Sequence, residues 1–477
     1  MLRTFEPNFN HSFATNISVL RTLTRTQFIN PTLDSLLYNN MLIYSHKITS
    51  RLAYIFRFIF TEILGMEVEF TDDADYFISY KGYKFNYSSE KIDASMQIIP
   101  IILLFETGIW NQQTDVIICR EMKGFFRTES NFGFTFDLFA ASFYLLTRYE
   151  EYLPFQPDLH GRFPAEQSLA YKNDFLNIPV INTWVEALKD ALLQYYPDLK
   201  LKENKFRHIS TIDVDNAFAY RGKGLLRTIA GYAKALMKTD AKAMAWRTKV
   251  LLGKAKDPFD CYSLQEEIKN KYGLEMIYFI LFAQRTDHDG CALPESNAYQ
   301  QLVKKLSAFA EIGIHPSYYS KENPEMLETE LKLLEHATGK AITKSRQHFL
   351  RLSFPETYRR LINAGISEDY SMGYASHPGF RAGVCTPFNY YDLPEEKETA
   401  LKVYPFAAMD ITFSDYMKIQ PEDALKHIST IIHEIKKING LFISIWHDRT
   451  FNERWEYKGW KDIYIRMMEM ITPIEND

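Results

Sequence analysis

Cysteine is scarce in this chain and never clustered. Cys119, Cys261, Cys291 and Cys385 stand far apart, with no C-x-x-C step among them. That spacing excludes a zinc knuckle or a disulfide framework and fits a reducing compartment. Glycine and proline are also sparse, 20 and 19 in 477 residues, too few for long low-complexity or disordered segments. Nowhere do about 18 apolar residues follow one another, as a membrane-spanning helix requires. The N-terminal sequence MLRTFEPNFNHSFATNISVLRTLTRTQF has no unbroken apolar core followed by small residues, so no secretory signal is read there and a cytoplasmic location is expected. A strong charge of one sign is missing too: 55 Lys and Arg stand against 60 Asp and Glu, which argues against nucleic acid as a general partner.

What is present is the composition of a folded globular protein, 46% apolar and 24% charged. The length exceeds one ordinary core and sets a prior of roughly two to four domains. Residues 1–40 are polar and without sustained period, and form an expected N-terminal tail. The folded part is expected to begin near Met41, which could itself be the biological start. Residues 41–203 read as an α/β accessory domain. Its expected elements are an amphipathic helix at 48–64, strands at 67–71, 76–80 and 83–87, an apolar stretch at 98–105, and helices at 134–152 and 181–196. The polar clusters Arg148-Tyr-Glu-Glu-Tyr152 and His160-Gly-Arg162 read there as a solvated helix end and a loop.

From 204 to 477 the rhythm changes to alternating strand and helix, the pattern of a parallel sheet wrapped by helices. Strands are expected at 206–213, 275–282, 311–315, 342–346, 403–409 and 441–446. Helices are expected at 262–272, 298–309, 324–337, 355–364, 421–438 and 458–471. Six or seven such units suit a (β/α) barrel, complete or seven-stranded. An insertion at 221–258 interrupts the first unit. Between 221 and 256 it carries ten Lys or Arg against one acid, Asp240, with apolar residues at helical spacing. Two readings fit: peripheral attachment to anionic lipid or an acidic glycan, or a helical flap whose apolar face packs on the barrel.

Catalytic groups of such barrels sit at strand C-termini, and the residues there are unusually polar: Asp213 and Asp215 (STIDVDNAF), His315 (EIGIHPSYYS), Arg346 and His348 (KSRQHFLR), Asp369 (SEDYSMGY), Asp410 (AAMDITF), and His447 with Asp448 (SIWHDRTF). An extended D-x-D puts both carboxylates on one side of the strand, where they repel unless a cation or proton intervenes. One can then bind a metal while the other serves as general base. Neutral imidazole is a common metal ligand, so His315 suits the same ion. For His447, general acid and ligand are both natural roles. The loop at 374–391, with His377, Arg381 and several aromatics, offers either a sugar-binding wall or an aromatic loop packed on the barrel.

Taken in order, Asp-x-Asp, E-I-G-x-H, an Arg-bearing strand, D-x-S and a terminal strand ending in His resemble the NodB-type polysaccharide deacetylases over the chain from about residue 205 onward. The resemblance implies Asp213 as base, Asp215 and His315 as metal ligands, Arg346 as partner of the base, and His447 as acid. Asp369 falls in a segment similar to the family's GY-x-YDSS. Four residues after His315, where the family has a second metal His, this chain has Tyr319, a poor neutral ligand. His348 is the expected replacement. Arg381, His377, Tyr319 and Asp369 are expected substrate contacts. The implied cofactor is a divalent metal, zinc foremost, with cobalt, manganese or nickel accepted by the same ligands. The implied substrate is an N- or O-acetylated sugar or glycan precursor. Two alternatives remain: a catalytically decayed carbohydrate-binding barrel, and a metal-dependent hydrolase of another amide or of a phosphoester.

Overall fold

The computed structural model describes residues 40–452 and 457–472. The expected N-terminal tail therefore lies, but for its last residue, outside the described residues. Two sheets organise the rest. The first is parallel, in the order β2-β1-β3-β4, from β1 (Asn40–Tyr44), β2 (Glu67–Thr71), β3 (Tyr83–Asn86) and β4 (Met96–Gln97). Of residues 76–80, expected as a strand, 76–79 belong instead to the helix Ala74–Ser79, with Tyr80 as its C-cap. The Asp73 carboxylate accepts the Tyr76 N–H and caps that helix, and this local bond outweighs the β preference of its aromatic residues. A small hairpin, β5 (Ile117–Cys119) with β6 (Met122–Gly124), follows.

The second sheet comprises β7 (Arg207–Val214), β8 (Glu275–Ile280), β9 (Glu311–Ile314), β10 (Lys344–Ser345), β11 (Glu368–Asp369), β12 (Phe388–Asp392), β13 (Lys397–Val403), β14 (Ala408–Met409) and β15 (Leu441–His447). Its order is β12-β13-β11-β10-β9-β8-β7-β15-β14, parallel except for the β12–β13 hairpin. Strands β7, β8 and β15 are buried on both faces over most of their length. Of the two forms expected, a complete or a seven-stranded barrel, neither closes among the described residues: this ladder of nine strands is open. Its ends nonetheless lie one short segment apart, since β13 and β14 stand near opposite ends of the order and only residues 404–407 separate them. Tyr404 N–H donates to Asp369 O of β11, and Ala407 N–H donates to Ile443 O of β15. Pro405 lies between them with no N–H to give, so the single strand expected at 403–409 is broken there.

Register sets the level of the candidate groups. Val214 pairs with Ile280, Ile280 with Ile314, and Ile314 with Ser345. Asp215, His315 and Arg346 are the next residues on three of those strands and emerge at one height. Close approach of β9 to β10 depends on Gly313, where a Cβ would meet the Lys344 carbonyl oxygen at 2.9 Å and the Phe279 ring.

One hydrophobic core runs through both halves of the chain. Buried polar contacts join them as well. Arg381 forks onto Glu151, which also accepts from Arg148, and Arg148 donates to the Tyr374 hydroxyl. The 148–152 cluster is therefore an interior ion-pair network and not a solvated helix end. The helix Leu225–Met237 departs from expectation in the other direction, because none of its residues is buried. Among the described residues no helix is long and apolar enough to cross a membrane.

Candidate metal centre

Asp215 is buried just past the C-terminal end of β7, and among the described residues no hydrogen bond reaches its Oδ1. A buried carboxylate oxygen without a donor is costly unless a cation supplies the missing interaction. His315 Nε2 lies 3.3 Å from that oxygen and His348 Nε2 lies 3.9 Å from it. One ligand atom from each of the three residues falls within 4.8 Å of the others.

Hydrogen bonds at the far nitrogens fix both imidazoles. His315 Nδ1 meets the Arg346 carbonyl at 2.5 Å, and His348 Nδ1 meets Asp289 Oδ1 at 2.8 Å. Neither oxygen can donate, so each Nδ1 carries a hydrogen, and in the neutral ring each Nε2 turns its lone pair toward Asp215. Asp289 is itself held by the Tyr318 N–H and the Thr286 hydroxyl. Burial lowers the His348 pKa and favours the neutral, ligating form. Burial also opposes ionisation of Asp215, but the positive charge around it, that of His447 foremost and of Arg449 with it, holds the carboxyl well below the usual range. Two imidazole nitrogens and a carboxylate oxygen, buried together, are a donor set that could hold a metal ion.

Two further groups flank the cluster. Asp213 Oδ1 accepts from Arg346 Nη1 at 2.9 Å, and its Oδ2 stands 3.9 Å from His315 Nε2. Arg346 is buried, donates also to Thr211 Oγ1 and Tyr370 O, and lies over the Phe279 ring, so its direction is fixed. On the other side His447 Nε2 lies 3.8 Å from Asp215 Oδ2. Its Nδ1 donates to Asp410 Oδ1 at 2.7 Å, while Asp410 Oδ2 accepts from the His447 N–H and the Thr450 hydroxyl. Burial works against protonation of His447, but Asp410 and Asp215 together push its pKa up to about 9. A cavity of about 380 Å³ opens over this group, and Asp213, Asp215, His315, His348 and His447 all line it.

The expected substrate contacts are placed differently. Arg381 is buried and spent on Glu151; it lies at a neighbouring depression of about 260 Å³ and not in the main cavity. His377 turns to Ser376 and Glu166, with its ring edge on Tyr171. Asp369 is buried, accepts from Tyr358 and Ser371, and ties the end of β11 to that of β10, because Ser371 Oγ accepts the Gln347 N–H. Tyr319 is exposed and donates to Asp287, while His348 stands beside Asp215. Of the loop at 374–391 only Ala375 lines the main cavity, and the aromatic-loop reading describes it better than the sugar wall.

Three groups in or behind the cavity wall escaped the sequence reading. Asp289 lies nine residues past the end of β8, where no strand-end rule points. Arg449, whose Nη1 is 2.7 Å from Asp215 Oδ2, follows His447 by two residues and was the most legible of the three. Arg162, read as exposed, is buried and lines the cavity, donating to Asp158, the Phe349 carbonyl and the Tyr416 hydroxyl. It is the contribution of the N-terminal half to the cavity wall.

Comparison with known proteins adds little. A family model described as a family of unknown function (DUF7033) matches residues 41–197. No curated protein matches the chain. Among solved structures, a Mycobacterium smegmatis protein assigned as a polysaccharide deacetylase is similar at 12% identity and a TM-score of 0.37, over 58% of this chain and 87% of that one. An allantoinase is similar at 13% identity and a TM-score of 0.35, over 55% and 83%. A CE4 family pseudoenzyme from Bacillus anthracis is similar at 12% identity and 0.28, over 56% and 62%. Likeness this remote transfers neither a fold nor a reaction.

Proposed function

We propose that this protein is a metal-dependent hydrolase that removes acetyl groups from an N- or O-acetylated carbohydrate. The carrying observation is the convergence of Asp215 Oδ1, His315 Nε2 and His348 Nε2, with that oxygen buried and otherwise unbonded. Asp215, His315 and His348 would hold the ion. A divalent cation held there supplies Lewis acidity, polarising a carbonyl oxygen and making water more acidic.

The chain's own side chains supply the proton transfers. Asp213, fixed by Arg346 and two residues before Asp215, is placed to take a proton from an attacking water. His447, across the cluster and held by Asp410, is placed to give one to the departing amine or alkoxide. The Asp410 contact fixes which imidazole nitrogen faces the cavity and stabilises the charged ring, as in other base–carboxylate pairs. Acetate would be the product. The resemblance of the strand-end motifs to NodB-type deacetylases supports acetyl groups over other acyl groups.

Metal analysis of the purified protein, followed by acetate release from acetylated sugars and peptidoglycan fragments, tests this reading. About one ion per chain and acetate release are expected. Asp213→Asn and His447→Ala should each lower kcat by about 10²–10⁴-fold while retaining the ion. A chain that stays metal-free under zinc, cobalt, manganese and nickel would overturn it.

Arg449 favours a second reading. Its guanidinium already neutralises Asp215 Oδ2 at 2.7 Å, as a cation would, and this suits a carbohydrate-binding site that has dispensed with metal. Sugar binding without ion or turnover would decide for that alternative.

A further inference from the structure

The insertion after β7 folds as two helices, Leu225–Met237 and Ala241–Leu251. Set out at 100° per residue, the first helix divides sharply. Leu225, Leu236, Ile229, Ala233, Leu226 and Met237 fall on one arc of about 120°, Ala230 and Tyr232 border it, and Lys234, Arg227, Gly231, Ala235 and Thr228 make up the other side. The opposite side packs. Gly231 is where the Arg247 side chain of the second helix crosses, with no room for a Cβ, and the Tyr232 hydroxyl bonds to Thr248. The apolar arc faces outward: Leu226 is 84% and Met237 86% exposed, and Leu225, Ile229 and Leu236 are each more than half exposed. Leu252, at the end of the second helix, is exposed as well.

An outward apolar arc calls for a cover, and the charges around it identify one. Residues 221–256 hold ten Lys or Arg and one acid, in a chain that otherwise has more acids than bases. Two copies of so cationic a surface would repel each other, which disfavours pairing of like hairpins. Nucleic acid would answer the charge and leave the leucines in water. A bilayer with anionic headgroups answers both, because apolar side chains enter the acyl boundary while Lys and Arg stay among the headgroups. We infer that the hairpin 221–256 docks this protein on an anionic lipid surface, through the Leu225–Met237 apolar arc and the hairpin's cations.

The hairpin is firmly rooted. Asp257 at its far end accepts the N–H groups of Ala219, Tyr220 and Arg221 at its near end. Lys223 bonds to Asn216, and both Lys223 and Arg227 reach the Gly290 carbonyl. Asn216 and Gly290 line the main cavity. Docking would therefore bring the cavity mouth within reach of lipid headgroups.

The full chain should sediment with vesicles of phosphatidylcholine mixed with phosphatidylglycerol, with at least about tenfold higher affinity than for phosphatidylcholine alone, and less so as salt rises. The triple variant Leu226→Ser, Ile229→Ser, Met237→Ser, at exposed positions, should lose about tenfold or more while its circular dichroism is unchanged. Lys234→Gln with Lys238→Gln should weaken binding to the mixed vesicles and flatten the salt dependence. Asp215→Asn should bind vesicles like the wild type, so failure of the hydrolase reading leaves this result standing. Equal binding to both vesicles, or full binding by the triple variant, would overturn the inference. So would a wild-type dimer that ignores vesicles and becomes monomeric in the triple variant, or oligonucleotide binding insensitive to the serine substitutions.

Discussion

Arg449 and His315 face the two oxygens of one carboxylate: Arg449 Nη1 is 2.7 Å from Asp215 Oδ2, to which it donates, and His315 Nε2 is 3.3 Å from Asp215 Oδ1. A cation on Oδ1 must therefore share Asp215 with a permanent positive charge, whose repulsion is strong at this range and only partly screened in a buried site. Arg449→Met should tighten zinc binding about tenfold by calorimetric titration. Weaker binding in that variant would mean that Arg449 serves chiefly to orient Asp215.

His348 is the proposed replacement for the second histidine of the deacetylase pattern, and Asp289 fixes its tautomer. His348→Ala should lose the ion from the purified protein with circular dichroism unchanged. Asp289→Asn should keep the ligand and weaken its hold, by roughly 10–100-fold for an outer partner of this kind. Tyr319→Ala, at an exposed position outside the cavity, should leave metal content unchanged.

Arg381 offers a test between a sugar contact and an internal strut. Both it and Glu151 are buried, and removing one member of a buried pair typically costs about 3–5 kcal/mol. Arg381→Met should lower the denaturation midpoint markedly while metal content stays at the wild-type value. A variant of normal stability with a raised KM would restore the sugar-contact reading.

His208, on β7, stacks on Phe442 and bonds through Nε2 to Ser444, while its shielded Nδ1 has no partner. Burial holds its pKa down to about 3 from an ordinary 6.5. The folded state therefore stays neutral at His208 where the unfolded chain takes up a proton. No penalty exists well above pH 6.5, and stability falls progressively as pH drops from there toward 3. His208→Phe should flatten that part of the profile in denaturant titrations between pH 7 and pH 4.

Several site residues could be read from the sequence because a parallel strand announces its own end. An apolar run terminated by Asp213-Val-Asp215, by His315 or by His447 marks a polar group at the mouth of a sheet, whatever the closure of that sheet. The helix Pro421–Lys437 and the helix Asn297–Phe309 were equally legible from their periodicity. Residues 76–80 were misread because an aromatic-rich run fits a strand as well as a short capped helix, and 403–409 because nothing local shows that the first half pairs with β11 and the second with β15.

Local order thus determined the strand ends, the helix spans, the Asp-x-Asp pair and the charge of the 221–256 hairpin, since each depends on neighbours a few residues apart. Only the tertiary structure decided that His348 faces Asp215, that Asp289 and Arg449 attend them, that Arg381 serves the interior, and that the hairpin's apolar arc points outward. Those outcomes turn on which side chains from distant segments meet at one level of the sheet, and on which face of a helix finds a partner. Periodicity alone cannot encode either, because a buried stripe and an exposed one have the same spacing.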